Sequence, residues 1–322
     1  MWCAFHVDIN NNVLFFDCLQ IEEVQIAMPW GYVAGKWWGP KDVRPIVSLH
    51  GWQDNAGTFD ALIPLLPKEV SFLAVDLPGH GLSSRLPNGV AYDHMGTIYM
   101  LQCLQNEYKW ETMSLMGHSL GSIISFLYSA IFPDKVDMVI GLDALKPQVR
   151  NVPKAIESLK GEMEAFYLSD KRNLENSEPP SYPYDVLVER LVSSTFGSIT
   201  KEAAPFLLKR AIKESTKNPE MFYFTRDSRL KSNFNLGTPQ ETTNELIKKI
   251  KCPYLYVKAT DSPFYEKKEF FEQSIQAFKE HNPNFELHFI DAKHHLHLTD
   301  ATKINGILSD FIIRNRGLDS KL

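Results

Sequence analysis

The chain has 322 residues, 44% hydrophobic and 12% aromatic, enough for one large α/β domain with an insertion or for two small domains. A net charge of -5 without a basic block argues against nucleic acid as the main partner, and no apolar run approaches the ~18 residues of a membrane span. The four cysteines (Cys3, Cys18, Cys103, Cys252) show neither metal nor redox spacing and read as buried thiols of a reducing compartment. Residues 1–20 read as an N-terminal extension; they lack a basic start followed by a clean apolar stretch, so no secretory signal is expected there.

Residues 24–28 and 31–37 flank a Pro29-Trp30-Gly31 turn and predict a strand pair. Three short apolar strands follow at 45–50, 71–76 and 112–116, separated by helical patterns at 57–66 and 92–108. Strands alternating with helices imply βαβ units, which put loop chemistry at the strands' carboxyl ends. A fourth strand, 136–142, ends at Asp143, and there the alternation stops. Residues 146–245 are mostly helical and amphipathic, far too long for a connection, and are expected to form a lid over the strand ends. Strand 253–258, a helix near 264–281, strand 285–290 and a closing helix at 302–314 complete the pattern. The α/β core would thus be split into 21–145 and 246–316, with a flexible tail at 317–322.

Gly117-His118-Ser119-Leu120-Gly121 lies between the strand at 112–116 and a helical run to Phe132. This is a G-x-S-x-G nucleophile elbow in its required setting of strand before and helix after. Gly117 and Gly121 permit close backbone approach in the turn, and the helix starting at Leu120 aims its free N–H groups beside the Ser119 hydroxyl. A serine needs a base, and the base needs an anion to fix its tautomer. In the chain order Ser, acid, His, the base should follow the last strand, where His294, His295 and His297 lie. His294, nearest the strand end, is favoured; His297 can pack beneath it, and His295 is expected to point away. The histidines lack a second ligand set nearby in sequence, so no metal is implied. Asp143 and Asp261 compete for the acid, and the loser would serve as a turn or cap carboxylate. Oxyanion donors are expected from the amides of Trp52, after the strand-ending His50-Gly51, and of Leu120. The turn-rich loop 76–83 reads as scaffold.

H-G-W at 50–52, D-L-P-G-H-G-L-S at 76–83, G-H-S-L-G-S at 117–122 and a late histidine turn, in this order, resemble the α/β-hydrolase superfamily. The segments 50–60 and 142–147 are similar to its serine hydrolase-like, kraken-type family, whose natural substrates are poorly defined. The resemblance implies a mostly parallel central sheet flanked by helices, with Ser119 as nucleophile and His294 as base. Many relatives carry the acid after the seventh strand, a position that falls on Ser262, with Asp261 one place early. Others carry it about two dozen residues beyond the nucleophile, which suits Asp143. Asp143 is therefore preferred, and Asp261 stays open.

A serine at this position, rather than an aspartate, implies acyl transfer to water through an acyl-serine, without cofactor. The expected substrate is an apolar carboxylic ester or thioester; a low-turnover binding or receptor-like protein on the same fold is the alternative. The terminal Ser320-Lys321-Leu322 matches the peroxisomal import tripeptide, so a peroxisomal location and an import receptor as partner are expected, with the cytoplasm as alternative.

Overall fold

A computed structural model describes residues 6–8, 13–16, 19–175 and 177–318. Among them the sheet has ten strands, in the order β1-β2-β3-β4-β6-β5-β7-β8-β11-β12. The antiparallel side comprises β1 (His6–Asp8), β2 (Val13–Phe16), β3 (Leu19–Met28) and β4 (Gly31–Trp38), the last pairing with β6 (Phe72–Val75). β1 and β2 thus extend the sheet into the region the sequence reads as an extension. From β6 onward every pairing is parallel: β5 (Ile46–Leu49), β7 (Met113–His118), β8 (Val136–Leu142), β11 (Tyr254–Ala259) and β12 (Phe285–Ile290).

Whereas the edge strand β12 is only partly buried, β5, β6, β7, β8 and β11 are short and buried on both faces, which is why they read as largely apolar runs. Their alternate side chains feed two cores. Val139, Tyr254 and Tyr256 meet Ile98, Ile124 and Phe271 of α1 (His94–Glu107), α2 (Leu120–Ile131) and α7 (Lys268–His281). Ile140, Leu255 and Val257 face the opposite way, onto Phe59, Ile63 and the apolar stripe Ile304, Leu308, Phe311 of α9 (Ala301–Arg316). Residues 57–66 differ from expectation. They form two 3-10 turns, Ala56–Phe59 and Ile63–Leu65, because Gly57 and Pro64 interrupt a continuous α-helical ladder.

Between β8 and β11 the chain forms α3 (Val152–Leu174), α4 (Tyr184–Ser194), α5 (Ala204–Ala211), a small hairpin of β9 (Ile212–Glu214) and β10 (Phe222–Phe224), and α6 (Gln240–Ile247). The hairpin escaped the sequence reading because three-residue strands carry no measurable periodicity. This insertion has its own apolar cluster, Leu187, Leu191, Leu207 and Leu208, joined by Leu298 of the short α8 (Leu296–Thr299). Arg210 of α5 is buried and clamps Asp76, with Nη2 2.8 Å from Oδ2, while also reaching Glu23 on β3. The insertion is thereby fixed to the loops at the sheet's carboxyl edge. No described helix is long and apolar enough to cross a membrane.

Candidate active site

β5 stands between β6 and β7, so the chain leaves β5 toward one side and returns on the other. Loops at such a switch point diverge and open a crevice. The two loops flanking it are the one after β5, carrying His50-Gly51-Trp52, and the one after β7, carrying Ser119.

Ser119 has φ 51° and ψ -113°, a strained backbone for a residue with a Cβ. The turn is tight enough that a Cβ on Gly117 would come within 2.2 Å of the Gly121 backbone, and one on Gly121 within 1.9 Å of the Leu49 carbonyl oxygen. Two backbone bonds hold it: Ser119 N–H donates to Leu142 C=O at 2.9 Å, and Gly121 N–H to His50 C=O at 3.1 Å. Leu120 opens α2, so its N–H has no acceptor within the helix.

The loop after β12 brings His294 to the end of β8. Its Nδ1 lies 2.6 Å from Asp143 Oδ2, the carboxylate being buried and the imidazole only slightly exposed. Asp143 also accepts from Ala259 N–H at 2.9 Å and from the Lys258 ammonium at 2.7 Å, and from the hydroxyl of Ser262. Burial alone would push this carboxyl up; the hydrogen bond and charge of His294, then Lys258, outweigh it and hold Asp143 below the usual range. Asp261 is exposed, and its N–H donates to Ala292 C=O at 3.1 Å. Lys258 and Ser262 were missed as partners of the acid. The signal for Ser262 was present, because the residue count from Pro253 falls on it. Its hydroxyl bonds Asp143 and lies 3.5 Å from His294 Nδ1. Among the described residues no hydrogen bond joins Ser119 to His294, although such bonds often tighten only with substrate bound.

Behind His294 lies a layer of buried histidines. His118 Nε2–H donates to the His294 carbonyl at 3.0 Å, since a carbonyl can only accept, and so supports the backbone of that loop. His297 packs its ring 4.1 Å from His118 and bonds Thr58 Oγ1 at 2.8 Å. His295 does not point away as expected. It is the N-terminal cap residue of α8 and faces inward, with Nδ1 2.6 Å from Ser198 Oγ and Nε2 3.4 Å from Asp54 Oδ2. Burial lowers the pKa of His118 to about 4, so its ring is neutral at pH 7 and turns the Nδ1 lone pair toward Asp54 Oδ2, 3.7 Å away. Both atoms are buried without a hydrogen-bond partner. Asp54, His118 and His295 also offer ligand atoms within 4.8 Å of one another, a spacing that a divalent cation could bridge. The second ligand set absent near the histidines in sequence thus arrives through the fold, from the loops after β5 and β7.

His50 and His80 cross-link the loops after β5 and β6. His50 Nδ1–H donates to Gly51 C=O at 2.7 Å and its Nε2 accepts from Leu77 N–H at 2.9 Å. His80 likewise donates to Pro78 C=O at 3.0 Å and accepts from Gln53 N–H at 3.1 Å. These bonds fix neutral tautomers, and burial keeps both rings uncharged by lowering their pKa, that of His80 to about 3. Trp52 exposes its ring and donates its indole N–H to Leu230 C=O at 2.7 Å, tying this loop to the insertion. Asp76 accepts from Ala56 N–H at 2.7 Å and Leu82 N–H at 2.8 Å, so the loop after β6 is held as scaffold. Cys103 and Cys252 are free thiols; Cys3, Cys18 and Ser320-Lys321-Leu322 lie outside the described residues.

Comparison with known proteins agrees with this architecture. A family profile described as alpha/beta hydrolase fold matches residues 44–301. A probable serine hydrolase of Drosophila melanogaster is 34% identical over 285 residues, covering 88% of this chain and 85% of that one. Human serine hydrolase-like protein 2 is 31% identical over 308 residues, covering 91% and 94%. Among solved structures, a hypothetical protein of Pseudomonas aeruginosa is similar at 29% identity and TM-score 0.76, covering 91% of this chain and 100% of that one. The thioesterase domain of the curacin biosynthetic pathway shares the fold at 19% identity and TM-score 0.72, over 89% of this chain and 98% of that one. With its parallel sheet, its serine elbow and relatives that match most of its length, this chain belongs to the α/β-hydrolase fold family, in its serine hydrolase-like group.

Proposed function

We propose that this protein hydrolyses carboxylic esters or thioesters through an acyl-serine. The observation that carries this reading is the 2.6 Å contact between His294 Nδ1 and buried Asp143, in the crevice that also holds the strained Ser119 turn. In the proposed cycle His294 Nε2 takes the Ser119 proton as Oγ attacks the acyl carbonyl, and Asp143 stabilises the imidazolium that forms. The amides of Leu120 and Trp52 receive the oxyanion. His294 returns the proton to the leaving alcohol or thiol, then repeats the exchange with water to release the acid.

Apolar acyl groups are the preferred class. The insertion, tied to the loops at the sheet's carboxyl edge through Arg210 and Trp52, would then act as a lid that contributes apolar side chains. A fluorophosphonate probe tests the nucleophile: the intact protein should label and Ser119→Ala should not, and equal labelling would overturn the proposal. A second reading is a ligand-binding protein with slow turnover on the same fold; a nitrophenyl ester would then give one stoichiometric burst and no steady state.

Where Leu322 is the terminal residue, Ser320-Lys321-Leu322 would engage the peroxisomal import receptor. α9 ends at Arg316 with Gly317 in the left-handed region at φ 64°, which suits an accessible tail. Fluorescent fusions with and without the last three residues test this; identical distributions would remove the claim.

A further inference from the structure

We infer that the cavity formed by the insertion and Arg85 is a polyanion site that binds a phosphate-bearing leaving group, making phosphorylated acyl donors the substrate class. The inference rests on the hydrolase reading above and names its substrate. Six cations line the cavity, Arg85, Arg172, Arg190, Lys217, Arg226 and Lys231, against two carboxylates, Glu178 and Glu189. Both carboxylates also have partners outside this set, and Lys217 is the cation near Glu178. Glu178 accepts from the hydroxyls of Ser215 and Thr216 and from Thr216 N–H, and Glu189 lies 4.0 Å from Lys201. Arg172 spends its donors on Leu168 C=O and Ser169 Oγ, and Arg85 on Asn173 and Thr225 C=O. Arg190, Arg226 and Lys231 form no ion pair among the described residues.

The cations come from separate elements and still converge. Burial and then the charges of Arg226, Arg172 and Arg190 lower the pKa of Lys231, so these like charges stand near one another without neutralisation. Two are pre-oriented: Arg190 lies 3.9 Å over the Tyr182 ring and Arg226 4.4 Å over the Phe224 ring. Each guanidinium rests against a ring and makes no hydrogen bond among the described residues, so its donors are left for bidentate contact with phosphate oxygens. Several converging charges exceed what one carboxylate would neutralise. The volume, ≈ 1190 Å³, lies at the upper end of small-molecule sites and admits a nucleotide-sized group.

One end of the cavity is tied to the loop after β5. Lys231 follows Leu230, whose carbonyl accepts the Trp52 indole N–H at 2.7 Å, and Arg226 is close enough to Asp54 to feel its charge. A leaving group anchored there would extend its acyl carbonyl along the loop after β5, toward Ser119.

The test pairs two thioesters with one acyl chain: decanoyl-coenzyme A, which carries phosphates, and decanoyl-N-acetylcysteamine, which does not. In the doubly substituted Arg190→Gln/Lys231→Gln protein, whose changed residues are both exposed, the preference in kcat/KM for the coenzyme A thioester should fall about tenfold, through KM. An unchanged preference would overturn the inference. So would a loss confined to the nitrophenyl monoester of decanedioic acid, which would put the anion on the acyl side. Calorimetric titration of Ser119→Ala with coenzyme A reads the site without turnover. Binding that the double substitution weakens supports the anion site even where no ester is cleaved. Hydrolysis of both thioesters without coenzyme A binding would sink the anion site and leave the hydrolase reading standing.

Discussion

Asp143 sits at φ 52°, a left-handed conformation that aspartate and asparagine tolerate better than most residues. Asp143→Asn therefore preserves the turn while removing the charge that orients His294 and neutralises Lys258. We expect kcat to fall on the order of 10⁴-fold. Leaving the Lys258 ammonium buried without its counter-ion should also cost about 3–5 kcal/mol of stability. Asp261→Asn, at an exposed position, should change neither by much. Steady-state kinetics and denaturant unfolding of both variants check this, and the reverse pattern would make Asp261 the acid. Sequence alone could not separate the two carboxylates, since each ends a parallel strand. The separation depends on β8 and β11 being neighbours, with Val257 opposite Leu142, so that Lys258, Ala259 and Ser262 all converge on Asp143.

At the scale of elements, the joint between insertion and sheet rests on Arg210. Its guanidinium is buried, and its partner Asp76 is fully buried in a loop that also anchors Ala56 and Leu82. Arg210→Met keeps the volume and strands a buried carboxylate, with a cost of about 3–5 kcal/mol. The loss should be local first. Hydrogen exchange should quicken at 204–211 and 56–59, which pack together, while the amides of β7 and α2 stay protected. Uniform loss of protection would show that the insertion is not a separately loosening unit. The insertion's extent could be anticipated, because a hundred-residue interruption between parallel strands must be a unit of its own. Its hairpin and its cationic cavity could not, because the four arginines and two lysines lie on five separate stretches that only packing brings together.

For the molecule as a whole, the buried histidines set the response to acid. His50, His80, His118 and His297 are all pushed below their ordinary value by burial, His80 to about 3 and His118 to about 4. The unfolded chain binds these protons near pH 6.5 and the folded one does not, so unfolding takes up protons between those values. Stability from this source is complete above about pH 6.5 and falls as pH drops toward 4. Near pH 5 His80 and His118 by themselves should account for an uptake of about two protons. Denaturant unfolding at pH 7, 6 and 5 measures the slope, and a flat profile would mean that these rings are charged in the folded state.

The serine turn was legible because all its constraints are local. Close glycines, a strained serine and a helix start lie within five consecutive residues, and the parallel strands announce themselves as short apolar runs. The order of strands about β5, the inward turn of His295 and the meeting of Asp54 with His118 were decided only by tertiary structure. Each depends on loops far apart in sequence being brought to one edge of the sheet, and a hydrogen bond across 151 positions, such as that between Asp143 and His294, leaves no periodic trace in the chain.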